Sequence, residues 1–367
     1  MNEVLIHKVD RIHPYPAKFP IDLAMEYICR YTAEGDTVYD PFVGSGTTLL
    51  AASLLHRNGF GTDINHIGIL ITKAKLLCLS DQELERLDQF IDCFEESYEK
   101  RAETVTPRTY PSVEHWFCKN SIRVLSVILD ETEQLETEAE TVFVKLVTSS
   151  IINTVSNQES DTRYAAIEKP DLTVQKVGQI FIKKFRLTLA LMRELNRLDR
   201  WADRSVPFLL DARDCGSVIQ TGSVDLILTS PPYVNTYDYY LYHKHRMNWL
   251  GYDVMYSMES EIGSRREFSS LKHDESKFSQ DLYSIFAACN DTLKQNGTVV
   301  LVIGDGKVAG ELYDARQKMI QICAPLGWRL IEYASSNLDE TSRSFQQAYR
   351  TKGKKEHIMV FRKEESA

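Results

Sequence analysis

The chain has 367 residues, 43% hydrophobic and 26% charged, with a formal net charge of −9. This is ordinary soluble globular composition, long enough for one large domain or two lobes. No leader pattern and no bilayer-length apolar run is readable, so the expected setting is cytoplasmic, without a membrane partner.

In chain order, Ile21 to Tyr31 has helical apolar spacing. Thr37-Val38-Tyr39-Asp40 reads as a short strand ending in a glycine loop. Thr47 to Arg57 is apolar and helical, and Gly59 to Asp63 reads as a second strand. Helix and strand alternating at this spacing predict an α/β fold, with a parallel sheet and crossover helices. From about Asp81 to Asp203 the chain turns rich in Glu, Gln, Leu, Lys and Arg. Asp81 to Arg101, Glu138 to Val155 and Thr173 to Trp201 are predicted helices, the last with Val177, Phe181, Phe185, Leu189 and Met192 on one side. Strands return at Pro207–Asp211, Val224–Thr229, Thr298–Ile303, Arg329–Tyr333 and His357–Phe361. Their continuous apolar runs suit strands covered on both faces. The expected organisation is therefore a core in two parts, 1–80 and 204–367, with a helical insertion at 81–203.

Two loops carry the chemistry. The first is Asp40-Pro41-Phe42-Val43-Gly44-Ser45-Gly46-Thr47-Thr48, which leaves a strand and opens a helix. Its glycines let backbone N–H groups approach a ligand, and the helix start favours a carboxylate or phosphate. The lysine of a P-loop and the third glycine of a dinucleotide fingerprint are both missing. Asp63 ends the next strand, where doubly wound folds place an acid for ribose hydroxyls. A nucleoside with a charged tail and no diphosphate satisfies both features, and S-adenosylmethionine is such a molecule.

The second loop is Ser230-Pro231-Pro232-Tyr233, at the end of the Val224–Thr229 strand. Two prolines fix φ, and neither offers an N–H to compete for nearby carbonyls. The exocyclic amine of cytosine or adenine is a poor nucleophile, because its lone pair is delocalised into the ring. Acceptors at its two N–H bonds localise that pair. The Ser230 hydroxyl and the Pro231 carbonyl are the candidate acceptors, with Tyr233 stacking on an extruded base. Catalysis then rests on positioning and oriented dipoles.

Together these residues resemble the amino-group DNA methyltransferases, in the serine form of their tetrapeptide. The resemblance covers residues 1–80 and about 204–367. It implies a Rossmann-like class I S-adenosylmethionine-dependent methyltransferase sheet with a large helical insertion. It also implies methyl transfer to cytosine N4 in duplex DNA through a flipped base, a restriction–modification setting and a possible cognate endonuclease. His13-Pro14-Tyr15-Pro16-Ala17-Lys18-Phe19-Pro20 resembles the element lining the methionine side of the cofactor, which assigns Tyr15 and Lys18 there. Asp211-Ala212-Arg213-Asp214 is similar to the third strand end, beside the adenine ring, and Glu356 to Phe361 to the closing strand. Three alternatives stay open: an N6-adenine DNA methyltransferase, an RNA base methyltransferase, and a non-catalytic nucleic-acid-binding subunit. The insertion matches no familiar target-recognition domain.

Weaker candidates surround this pair. Tyr237, Tyr239, Tyr240 and Tyr242, then His243, Lys244, His245 and Arg246, read equally as a DNA-facing aromatic and basic stretch or as an aromatic core patch running into a solvated helix face. Asn157, Ser160, Asp161, Thr162 and Arg163 read as a polar loop between helices. Ser264, Arg265 and Arg266 sit in a mobile-looking stretch, and Lys352, Lys354 and Lys355 form a basic turn. Each could touch DNA backbone, although surface charge is the default reading. The acidic total counts mildly against a polyanionic partner, which needs only a local basic face. The seven cysteines form no CxxC pair and none follows a proline. Neither a zinc site nor a disulfide framework is indicated, and the Pro-Cys nucleophile by which cytosine C5 methyltransferases resemble one another is missing. His243 and His245 lack a carboxylate or thiol at ligand spacing, so no metal is expected.

Overall fold

The computed structural model describes residues 3–337 and 354–364; Lys352 of the basic turn lies outside them. Along the described chain run β1 (Thr37–Asp40), β2 (Asn58–Asp63), β3 (Gln158–Ser160), β4 (Arg163–Ala166), β5 (Ser205–Leu209), β6 (Val224–Thr229), β7 (Leu293–Gly304), β8 (Gly306–Val308), β9 (Glu311–Tyr313), β10 (Trp328–Asn337) and β11 (Lys355–Lys363). Seven of them form one sheet in the order β10-β11-β7-β6-β1-β2-β5. The pairs from β7 through β6, β1 and β2 to β5 are parallel, and β11 runs antiparallel to both its neighbours. This is the expected Rossmann-like α/β sheet. Val299, Val300, Leu301 and Val302 on β7 and Leu226, Ile227 and Leu228 on β6 are wholly buried, as strands covered on both faces require. Pro207 falls on β5, the edge strand, where its missing N–H costs no ladder bond. The chain travels outward from β1 to β2 and β5 on one side and from β6 to β7 on the other. That reversal opens a crevice at the carboxyl ends of β1 and β6.

The chain divides into two compact units: residues 16–72, 200–240 and 255–367, and residues 1–15, 73–199 and 241–254. The first holds the sheet. Its core gathers Tyr39, Ile227, Phe278, Phe286, Val299, Leu301 and Trp328 among others. The second is helical, with long helices at Asp81–Thr104, Lys119–Thr132, Glu138–Ile151 and Val174–Asn196. Phe94 meets Phe181 at 5.0 Å and Phe143 meets Phe185 at 5.0 Å, both edge to face. Capping boxes at Ser80 with Glu83 and at Thr137 with Glu140 start two of its helices.

Several expectations change. The helical unit takes in residues 1–15 and 241–254 as well as 73–199. The polar stretch at 157–163 is half of a β3–β4 hairpin, held by Trp116 against Tyr164 at 4.5 Å. Ser264 is buried at the start of a short helix, Arg265–Ser269. Unforeseen helices occupy His66–Lys75, Glu275–Thr292 and Ala315–Cys323, and the tyrosine-rich stretch continues into the helix Tyr239–Leu250.

Candidate active site at the carboxyl ends of β1 and β6

Asp40 closes β1 and is buried. Its Oδ1 accepts the Thr229 hydroxyl at 2.6 Å and the Phe42 N–H at 3.1 Å, and its Oδ2 accepts the Thr48 hydroxyl at 2.6 Å. Thr229 ends β6 immediately before Ser230, and Thr48 lies in the first turn of the Thr47–Leu54 helix. One carboxylate thus ties the glycine loop to the Ser-Pro-Pro-Tyr arm. Pro41 and Thr47 are buried within this loop and Phe42 is half-buried.

The loop is tightly packed at its second glycine. Gly46 stands at φ 78°, and a Cβ there would come within 2.6 Å of Thr72 Oγ1, so only glycine fits without rearrangement. The Gly44 N–H donates to Asp63 Oδ2 at 2.8 Å, while Asp63 Oδ1 accepts the Asn65 N–H at 2.8 Å. Burial pushes both carboxyls up to about 6, Asp40 against bonds from Thr229, Thr48 and Phe42, and Asp63 against bonds from Asn65, Gly44 and Ile64. Ser45 is buried, and its hydroxyl finds no partner among the described residues. A buried polar atom of this kind is costly unless something else satisfies it.

On the facing arm, Pro231 and Tyr233 are buried, and Ser230 and Pro232 are partly exposed. The Tyr233 phenol donates to Glu356 Oε1 at 2.7 Å. Its ring lies so close to Gly304 that a Cβ there would sit 2.5 Å from Cε2. Glu356 pairs in register with Gly304 across β11 and β7. Asp211 is engaged by Arg213, accepting its N–H at 2.9 Å and its guanidinium at 2.6 Å. Lys18 is half-buried in the sheet unit, and Tyr15 stacks on His243 at 5.1 Å in the helical unit.

The remaining candidates divide by burial. Arg246 is wholly buried; it donates to the Ser149 carbonyl at 3.0 Å, to the Tyr242 carbonyl at 3.2 Å and to Asp161. It is a structural cation, which corrects its assignment to DNA. Tyr237 is 5% exposed and packs 5.5 Å from Tyr239. Arg163, paired with Glu159 at 2.8 Å, keeps its side chain 59% exposed. Lys244, whose Nζ lies 5.8 Å over the Tyr164 ring, is partly exposed, as are Arg265 and Arg266. Among the described residues no group of three or more His, Cys, Asp or Glu could hold a metal ion, and no helix is long and apolar enough to cross a membrane.

Sequence reasoning missed Ser45, Glu356 and Glu261 as site residues. Glu261 accepts the N–H groups of Tyr239 at 2.7 Å and Tyr240 at 3.1 Å, which pins the chain beyond Tyr233. Burial pushes its carboxyl up to about 8. Only the loop's own spacing could have signalled Ser45. The two glutamates join through sheet register and a long connection, which no local pattern encodes.

A family model described as DNA methylase matches residues 3–73 and 224–367. Type II methyltransferase M.MvaI of Kocuria varians is 25% identical over 243 residues, covering 61% of this chain and 52% of that protein. Type II methyltransferase M.BsoBI of Geobacillus stearothermophilus is 25% identical over 279 residues, covering 65% of this chain and 52% of that protein. The chain thus spans about half the length of these curated relatives. Among solved structures, a geranyl diphosphate C-methyltransferase from Streptomyces coelicolor A3(2) aligns over 93% of this chain and 79% of its own. Its identity is 9% and its TM-score 0.38.

Proposed function

The chain belongs to the DNA methylase family, and from that premise we propose that it transfers the methyl group of S-adenosylmethionine to an exocyclic amine of a DNA base, cytosine N4. The observation that carries this reading is the Asp40 carboxylate, shared between the Thr48 and Thr229 hydroxyls. It joins a ligand loop to an arm suited to an amine.

The cofactor fits the residues present. The unpartnered Ser45 hydroxyl, the crowded left-handed Gly46 and the Gly44–Asp63 contact leave polar groups around a cradle at a helix start. Pro41, Phe42, Gly44, Gly46 and Thr47 would hold the amino-acid tail, and Asp63 the ribose. Asp211 would lie beside the adenine, with Lys18 on the methionine side. Asp40 and Thr48 act by shaping the loop. When bound, S-adenosylmethionine supplies a methyl group on a positively charged sulfur.

The protein's part is to hold and aim the amine. Ser230 Oγ and the Pro231 carbonyl accept its two N–H bonds and draw the lone pair out of the ring. Pro231 and Pro232 keep those acceptors fixed, so little reorganisation remains at the moment of transfer. The Tyr233 ring would flank the extruded base. The serine form of the tetrapeptide favours cytosine N4. Duplex DNA would be gripped through phosphate contacts from Arg163, Lys244, Arg265 and Arg266.

The test incubates the chain with duplex DNA and methyl-labelled S-adenosylmethionine, then weighs the nucleosides of a complete digest. N4-methylcytosine is the expected product. N6-methyladenine alone would overturn the base assignment, label confined to an RNA control would overturn the DNA assignment, and cofactor binding without turnover would leave a non-catalytic subunit.

A further inference from the structure

The hydrogen-bond direction around Tyr233 extends this reading, on which the following rests. Ser230 faces a difficulty as an acceptor, because a hydroxyl both donates and accepts. A free Ser230 O–H could turn its hydrogen toward the amine and repel the N–H it should receive. In this structure the hydrogens have another destination. The Tyr233 phenol donates to Glu356 Oε1 at 2.7 Å. Ser230 makes a side-chain contact with the same phenol, and because the phenol's hydrogen is committed to Glu356, the serine can only donate to it. The chain of donors therefore runs Ser230 to Tyr233 to Glu356, and it ends on a carboxylate, which only accepts when ionised. Burial, then the nearby Glu356 charge, holds the Tyr233 phenol well above its ordinary pKa, so it remains a donor.

The packing keeps this direction fixed. Gly304 leaves room for the Tyr233 ring, and Glu356 stands opposite Gly304 in the β7–β11 register. The start of β11 is braced separately. Asp305 accepts the Lys355 N–H at 2.9 Å and contacts His357 Nε2 at 2.9 Å. Glu356 lies between these two anchored residues.

We propose that Glu356 is a positioning residue that, through the Tyr233 phenol, presents Ser230 Oγ to the target amine as an acceptor and receives the proton the amine sheds. The balance is simple. The amine lone pair forms the N–C bond while the methyl carbon–sulfur bond breaks, its electron pair staying on sulfur. The nitrogen is left cationic and loses one proton to Ser230 Oγ. Ser230 passes its own hydrogen to the Tyr233 oxygen, and Tyr233 passes its hydrogen to Glu356. One proton has moved from nitrogen to carboxylate, and the amine is neutral again.

The experiment compares wild type, Tyr233→Phe and Glu356→Gln. Tyr233→Phe keeps the ring and breaks the relay; Glu356→Gln keeps an acceptor of similar size and removes the charge. Single-turnover methylation of a duplex carrying the mapped target cytosine should fall at least tenfold in both, with sinefungin affinity and thermal midpoint near wild type. A second readout needs no turnover. Wild type should bind the cytosine duplex more tightly than one with 2-pyrimidinone, which lacks the amine, and both variants should lose that preference. Rates within twofold of wild type and an unchanged preference in both variants would overturn the relay. A wild-type chain that methylates no DNA base would instead overturn the functional reading beneath it. Should Tyr233→Phe fail to fold, Glu356→Gln alone decides by the same two readouts.

Discussion

Asp40 and Asp63 are carboxylates whose ionisation opposes their burial, and that opposition has a measurable sign. Desolvation raises each to about 6, above the usual carboxylate range, despite the bonds that favour the charged forms. For folding, a raised carboxyl pKa means the native state binds protons more tightly than the unfolded chain. Its contribution to stability is therefore greatest near pH 4 and declines as pH rises through 6. On the proposed assignment cofactor binding runs the other way, because Asp63 would accept from Gly44 and from a ribose hydroxyl together. Calorimetric titration with S-adenosylhomocysteine should show affinity flat above pH 7 and roughly tenfold weaker by pH 5. Asp63→Asn should bind weakly throughout, with a flatter pH profile. Affinity that strengthens toward pH 5 would remove Asp63 from the cofactor's contacts.

Among the elements, the Tyr239–Leu250 helix best separates packing from binding. Its sequence mixes tyrosine, histidine, lysine and arginine, and reads as easily for a DNA-facing stretch as for a core. In the structure Tyr242, His243, His245, Arg246, Met247, Trp249 and Leu250 are buried, so His243, His245 and Arg246 interrupt what an apolar stripe would fill. Periodicity fails there for that reason. The same holds for the β3–β4 hairpin, whose Gln158, Glu159 and Ser160 alternate nothing and whose shape depends on Trp116. The strands were legible because β-branched runs such as Thr298–Ile303 report burial directly, and the two loops because glycine and proline constrain backbone locally. Sheet register, which brings Glu356 to Tyr233, depends on a connection of over fifty residues after Gly304 and leaves no local trace. Arg246 offers the sharpest contrast. Removing it should destabilise the fold by about 3 kcal/mol, since a large buried side chain, its bond to the half-exposed Asp161 and two carbonyl bonds are lost. Urea unfolding of Arg246→Ala measures this. A phosphate contact would show the opposite pattern, with unchanged stability and weaker DNA binding.

At the scale of the whole molecule the charge total points away from DNA, with 43 Lys and Arg against 52 Asp and Glu. Its distribution softens that objection. On the helical unit Arg186 is paired to Asp92 and Glu95, Arg108 to Asp130 and Glu133, and Arg101 and Arg193 to Glu131 and Asp88. These paired charges cancel in place without changing the total, and what a duplex would meet is a few local positive groups rather than the average. The proposed grip uses Arg163, Lys244, Arg265 and Arg266. The Arg163–Glu159 pair is exposed and worth under about 1 kcal/mol, so a phosphate can displace the glutamate. Each phosphate neutralised by one of these cations contributes about −0.9 to the slope of log K against log salt. Four such contacts predict a slope near −3.6, measured by fluorescence anisotropy of a labelled duplex between about 50 and 200 mM salt. Replacing Arg163 or Lys244 by alanine should reduce the slope by about one unit and weaken binding alike on target and non-target duplexes. A slope near zero in the unchanged protein would mean that binding draws on base contacts and shape alone, and the four cations would lose their assigned role.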